Sequence, residues 1–300
     1  MITKHILNIT RDWCFLLAAV VVMAMPGNLF AQDMNLNSHF NQPGNILIAD
    51  QFNNRVIEAD MTGNIIWSFG LGPNDFSAKS IIGVNDAQRV GPFTLMAGTG
   101  TPAGVIPEAI NGAPDNRVIL VNPNGLIVWQ YGQFGQNGSG PNLLSTPVQC
   151  TFLPDFHFLI TDQGNNRIIE VDQMKEIVWQ YPGSNTNPPD QLNSPNSAEL
   201  LENGNILIAD ENNNRAIEVT REDQIVNTIT AGGTLGAVAF ASRLKNGNTL
   251  LTDAGNIGNN VGYDLHTTQK GLYAPYDAKV VGDYTGLTPP FDFDNDSDNQ

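Results

Sequence analysis

NGNILIADENNNRAIEV, residues 203–219, is a phrase that the chain writes three times. It returns as PGNILIADQFNNRVIEA at 43–59 and, more loosely, as PDFHFLITDQGNNRIIEV at 154–171. ILIAD is a run of strand-forming side chains that ends on an aspartate. ENNN supplies residues that tolerate the left-handed backbone of a tight turn, and RAIEV leads the chain back as a second strand. Working outward, NSAELL at 196–201 reads as a strand entering the turn ENGN, and QIVNTI at 224–229 as a strand leaving the turn TRED. One unit is therefore four short antiparallel strands.

The units keep register over their second halves. Arg55, Arg117, Arg167 and Arg215 lie 62, 50 and 48 residues apart, and twelve positions after them stand Trp67, Trp129, Trp179 and Asn227. A fixed offset inside units of variable length puts the insertions between units or in their first loops. Repeats of this period belong to propellers and other arrays. The expected fold class is all-β, a β-propeller of five or six four-stranded antiparallel blades over residues 32–290, with blades at about 36–70, 84–132, 145–182, 190–230 and 237–290. ILIA, apolar throughout, reads as an inner strand covered on both faces, and RAIEV, which alternates, as one nearer the rim. Blade two departs from the pattern: FTLMAG at 93–98 replaces ILIAD, and the loop TGTPAGVIPEAINGAPD at 99–115 is expanded. Long loops on a rigid scaffold are where function resides.

The repeat resembles that of NHL-type propellers and equally the blades of arylsulfotransferase-like propellers, which carry LIAD, NRVIEVD and GxIVW. The resemblance covers about residues 36–256. It implies a propeller scaffold and, on the second relationship, sulfate transfer through a histidine nucleophile assisted by further histidine and arginine. A quinoprotein propeller is a third relative, but its tryptophan-docking repeat spaces Asp and Trp by eight, whereas Asp60 to Trp67 and Asp172 to Trp179 are seven apart.

Composition narrows the function. The 14 basic residues face 30 acidic ones, for a net charge of −16. That balance argues against a non-specific hold on nucleic acid, which needs Lys and Arg to displace counterions. At the N-terminus, Lys4 and Arg11 precede an apolar run from Trp13 to Met25, and a small residue, Ala31, follows. This is the tripartite pattern of a signal peptide, 1–31, too short to span a bilayer, and it predicts an exported protein, periplasmic or secreted, with no membrane span after cleavage. Cys150 would then be the only thiol, in the apolar strand VQCTF, where a buried and inert cysteine is expected.

Three blades hold Asp and Arg five apart: Asp50 with Arg55, Asp162 with Arg167, and Asp210 with Arg215. An arginine can hold the carboxylate and the turn carbonyls together, so these read as turn clasps. Blade two has Gly112 at the Asp position, which leaves its clasp absent or built from Asp115. The innermost strands carry a polar ring, with Asn37, Asn85, Gln149 and Ser197 at one level and His39, Thr151, Glu199 and Ser242 at the next. Arg89, Glu199 and Arg243, the charges near that ring, are the ligand-binding candidates, and His39 is the catalytic candidate. His157 falls in a hairpin turn. The tail FDFDNDSDNQ, 291–300, alternates Asp292, Asp294, Asp296 and Asp298 but lacks the turn glycine and late glutamate of a calcium loop. With no Cys/His motif, phosphate loop or GxSxG elbow, the sequence calls for no metal and no cofactor. The functional expectation is an exported NHL-like propeller acting as a ligand- or protein-binding module, with loops 98–115 and 132–145 contacting a protein, glycan or small ligand. The alternative is an extracytoplasmic arylsulfotransferase-like enzyme using His39.

Overall fold

The computed structural model describes residues 38–183 and 187–255. The expected signal segment, Asn37, the acidic tail and the second half of blade five lie outside the described residues. Within them the chain is all-β, a β-propeller built of five consecutive antiparallel sheets. Blade one has three strands, β1 (Ile46–Asp50), β2 (Arg55–Ala59) and β3 (Ile65–Phe69). Blade two has β4 (Val84–Val90), β5 (Phe93–Thr101), β6 (Ala113–Val121) and β7 (Ile127–Tyr131). Blade three has β8 (Pro147–Phe152), β9 (Phe158–Asp162), β10 (Arg167–Val171) and β11 (Ile177–Tyr181). Blade four has β12 (Pro195–Leu200), β13 (Ile206–Asp210), β14 (Arg215–Val219) and β15 (Ile225–Ile229), and β16 (Val238–Arg243) with β17 (Thr249–Asp253) opens blade five.

The apolar run ILIAD is explained by what lies on its two faces. In blade four, Ile206 and Ile208 meet Leu159, Ile168 and Tyr181 of blade three, while Leu207 and Ala209 meet Val238 and Ala241 of blade five. A strand covered on both faces has no solvent side on which to alternate. The same run in blade one is less covered: Ile46 is 58% exposed, whereas its counterpart Ile206 is 0% exposed.

The Asn pair shapes the turn between the second and third strands. Gln51–Asn53, Gln163–Asn165 and Glu211–Asn213 each form one 3-10 turn, followed by Asn54, Asn166 and Asn214 with φ of 51, 52 and 54°. Asparagine accepts this left-handed conformation more readily than other residues with a Cβ. Its amide then links blades: Asn54 Oδ1 accepts from Gly83 N, Asn116 Oδ1 from Thr146 N, and Asn166 Oδ1 from Ser194 N, each on the chain entering the next blade.

One expectation needs correction. His39 does not stand on an inner strand; it sits exposed in a turn at 38–40, where Phe40 turns inward to pack on Trp67. RAIEV stands third in its sheet, between ILIAD and the last strand, and there Ala216–Val219 are buried, Glu218 included. The polar residue of each such strand points into the joint between blades.

Candidate functional site

The repeated residues hold the scaffold together. In blade three, Asp162 Oδ2 accepts from Arg167 Nε and from Asn165 Nδ2, both at 2.7 Å, and its Oδ1 accepts from Ser145 N. Arg167 extends the hold to the carbonyls of Ser139 and Leu143 in the incoming loop. Asp210 and Arg215 repeat this in blade four on Asn193 N and the carbonyls of Pro189 and Gln191. Asp50 and Arg55 pair at 2.7 Å. In blade two Asp115 takes the role from two residues before Arg117, accepting from Arg117 Nε at 2.5 Å and from Ile82 N. Burial pushes the Asp115 and Asp162 carboxyls up, against the hydrogen bonds and arginines that pull them down.

The tryptophans reach across blades. Trp67 Nε1 donates to Pro123 O, Trp129 Nε1 to Gln173 O, and Trp179 Nε1 to Arg221 O, in every case a carbonyl in the last hairpin turn of the following blade. The third-strand glutamates make a second tie. Glu58 binds Arg89, Glu170 binds Arg221, and Glu218 binds Arg243, again from the next blade. Sequence reasoning passed over these glutamates as the polar half of an alternating strand. Their recurrence three residues after the Arg was the signal that could have found them. Blade two carries Leu120 there, and its Trp129 stacks on Phe158 with centroids 3.9 Å apart.

The candidate ligand residues divide accordingly. Arg89 lies with its guanidinium over the rings of Phe40 and Trp67, donating to Glu58 at 2.6 Å and to Thr94 Oγ1. Arg243 donates to Glu218 at 2.9 Å and to Thr249 Oγ1. Both side chains are directed into blade joints. Glu199 is brought beside Arg243, but by the backbone: its carboxylate accepts from Arg243 N at 3.3 and 3.4 Å. Other inner-strand side chains act likewise. Asp86 accepts from Cys150 N, Gln88 from Phe152 N, Gln149 from Ala198 N, and Ser197 from Ala241 N. Asp86, rather than Asn85, is the residue level with Gln149 and Ser197, since it pairs with Ala97 just past a bulge as they pair with Thr161 and Ala209 just past theirs. A shallow recess lies over these strands, lined by Gln149, Thr151, Glu199 and Phe240. Cys150 is buried, and burial together with the Asp86 charge holds its thiol well above the ordinary range. His39 accepts from Asn45 Nδ2 through its backbone carbonyl.

Among the described residues, blade two builds outward. β5 and β6 are nine residues long where their counterparts have five, and the extra pairs Gly100↔Pro114 and Thr101↔Ala113 carry the hairpin past its neighbours. Gly100, at φ 97°, and Gly83, at φ 56°, make the crossing possible, because a Cβ on Gly83 would lie 2.0 Å from the Gly100 carbonyl oxygen. The tip is propped from beneath by a satellite core of Ile82, Ala109 and Ala113 with Phe76, Ile106 and Phe134. Arg117 supports that core, its guanidinium 4.8 Å from the Phe134 ring centroid and bonded to the carbonyls of Ala78 and Ser80. On top, Val105 and Ile110 are 47% and 62% exposed.

No family model and no curated protein matches this chain. Among solved structures, a catalytically inactive virginiamycin B lyase from Staphylococcus aureus with quinupristin aligns at a TM-score of 0.51 and 14% identity, over 72% of this chain and 61% of that one. A protein of unknown function from Bacteroides caccae aligns at a TM-score of 0.49 and 14% identity, over 72% of this chain and 69% of that one. The chain thus spans 61% of the lyase's length, and at this identity the likeness supports the propeller-like fold alone.

Proposed function

We propose that the chain is an exported binding module whose docking surface is the extended blade-two hairpin, and that its partner is a protein offering an apolar recess. The observation that carries this reading is the pair Val105 and Ile110, aliphatic and exposed at the tip of a hairpin that its own core and Arg117 hold in place. Exposed apolar side chains on a preordered support are what a partner desolvates with gain, because little chain entropy is lost on binding. Aliphatic tips of this size fit a protein pocket better than a glycan, whose hydroxyls need hydrogen-bonding partners. The polar groups of the inner strands support the same reading, since they brace one blade against the next. Export rests on the N-terminal pattern of Lys4, Arg11, the apolar run and Ala31.

The test is site-specific photocrosslinking in cells that produce the full chain. A photoreactive side chain replaces Val105 or Ile110 and, as reference, Met174, which is more open to solvent but lies in the β10–β11 turn at the opposite end of the strands. A discrete adduct from positions 105 and 110 with none from 174 is expected. Adducts of equal yield from all three, or none from 105 and 110, would overturn the proposal.

A further inference from the structure

One blade joint differs from its counterparts in charge. In blades one and four the third-strand glutamate is met by neutral amides from the first hairpin turn: Asn45 Nδ2 donates to Glu58, and Asn203 and Asn205 donate to Glu218 at 3.1 and 2.7 Å. Blade three keeps the glutamate, Glu170, and the next-blade arginine, Arg221. At the places of Asn203 and Asn205, however, it carries Asp155 and His157. Two neutral donors have been exchanged for a second carboxylate and an imidazole.

The exchange brings three ligand atoms together. His157 Nδ1 lies 2.7 Å from Glu170 Oε1 and 3.3 Å from Asp155 Oδ2, and the three atoms fall within 4.8 Å of one another. The blade-four joint balances one carboxylate with one guanidinium. The blade-three joint sets two carboxylates against one, and two carboxylates at this range repel unless a cation stands between them. Imidazole and carboxylate are the donors of a borderline-soft divalent ion. Bonds of about 2.0–2.2 Å around a tetrahedral ion space its donor atoms roughly 3.3–3.6 Å apart, so the His157–Asp155 pair already fits and the His157–Glu170 pair needs to open by less than about 1 Å.

The surroundings suit such an ion. Arg221 holds Glu170 by Oε2 and is itself placed by Gly204 O and by the Trp179 ring, 5.1 Å away, which leaves Oε1 turned to the imidazole. An outer partner of this kind fixes a ligand's orientation. The Asp155 side chain is 55% exposed, so solvent reaches the cluster and water can complete the coordination.

We propose that Asp155, His157 and Glu170 form a binding site for one divalent transition-metal ion, zinc fitting the donor set best. It ties the first hairpin turn of blade three to the joint with blade four. The test is calorimetric titration of the full chain with zinc chloride in a metal-free, non-chelating buffer, beside His157→Asn and Asp155→Asn. Each variant installs the residue blade four uses at that place, and circular dichroism verifies its fold. The wild type is expected to bind one equivalent saturably and each variant at least about tenfold more weakly. Cobalt(II) in the wild type should show visible ligand-field absorption that His157→Asn abolishes. Absence of saturable zinc binding, or unchanged affinity in either variant, would overturn the proposal, the second result placing the ion elsewhere, such as among Asp292 to Asp298.

Discussion

At the scale of single residues, one letter of the repeat does several jobs. In blade three the aspartate that ends the second strand holds its own turn, the arginine after it and the loop that brings the chain in, while the second asparagine of the turn holds the next blade's loop. The pairs are chemically identical but differently wet. Arg167 and Asp162 are buried, whereas the Arg55 side chain is 37% exposed. Arg167→Ala strands a buried carboxylate and is expected to cost about 3–5 kcal/mol. Arg55→Ala removes an exposed pair and should cost no more than about 1 kcal/mol. Urea unfolding of the two variants measures the difference. The Asp–Arg spacing was legible because it repeats. The partners in the incoming loops were not, since 139, 143, 189 and 191 share no residue type and donate or accept through the backbone.

At the scale of the strand, the joint between blades is built from the third and fourth strands of one blade and the next blade's turn. Tryptophan supplies area and one hydrogen bond, and glutamate supplies an ion pair beside it. A bulge follows the glutamate position in the four described strand pairs of this kind, after Glu58, Glu170 and Glu218 in three of them and after Leu120 in blade two. Alternation in RAIEV suggested a strand nearer the rim, and the pattern also fits a strand whose polar member is paired inside a joint. Sequence periodicity cannot separate those cases, because it reports alternation and not what lies opposite. Blade two resolved the choice by substitution, with Leu120 where the others have glutamate and Phe158 where they meet a cation. Leu120→Glu should therefore bury a charge against an aromatic stack and cost about 3 kcal/mol or more. A lowered thermal midpoint with unchanged circular dichroism below the transition would register it.

At the scale of the whole molecule, the described sheets repeat one construction, and among them blade two breaks from it. The propeller architecture could be read from three copies of one phrase, since each copy contains its own turns and strand lengths. The elaborated loop at 99–115 was legible only as a departure. That it continues as paired strand to Thr101 and Ala113, and rests on Phe76, Phe134 and Arg117, depends on contacts from two other loops and from β6. The surroundings of the inner-strand candidates were hidden for a related reason: Arg89, Glu199 and Arg243 were located near an axis by alignment, but direction depends on register, and their partners Glu58, Arg243 N and Glu218 lie on neighbouring blades. Function in this account belongs to the departure and stability to the repeat. The most direct measurement is partner retention by the full chain carrying Val105→Asp and Ile110→Asp together, using the protein identified by crosslinking from those positions. The account predicts an unchanged melting temperature and affinity lowered at least about tenfold, as for loss of a buried apolar anchor. Wild-type affinity in that variant would contradict it.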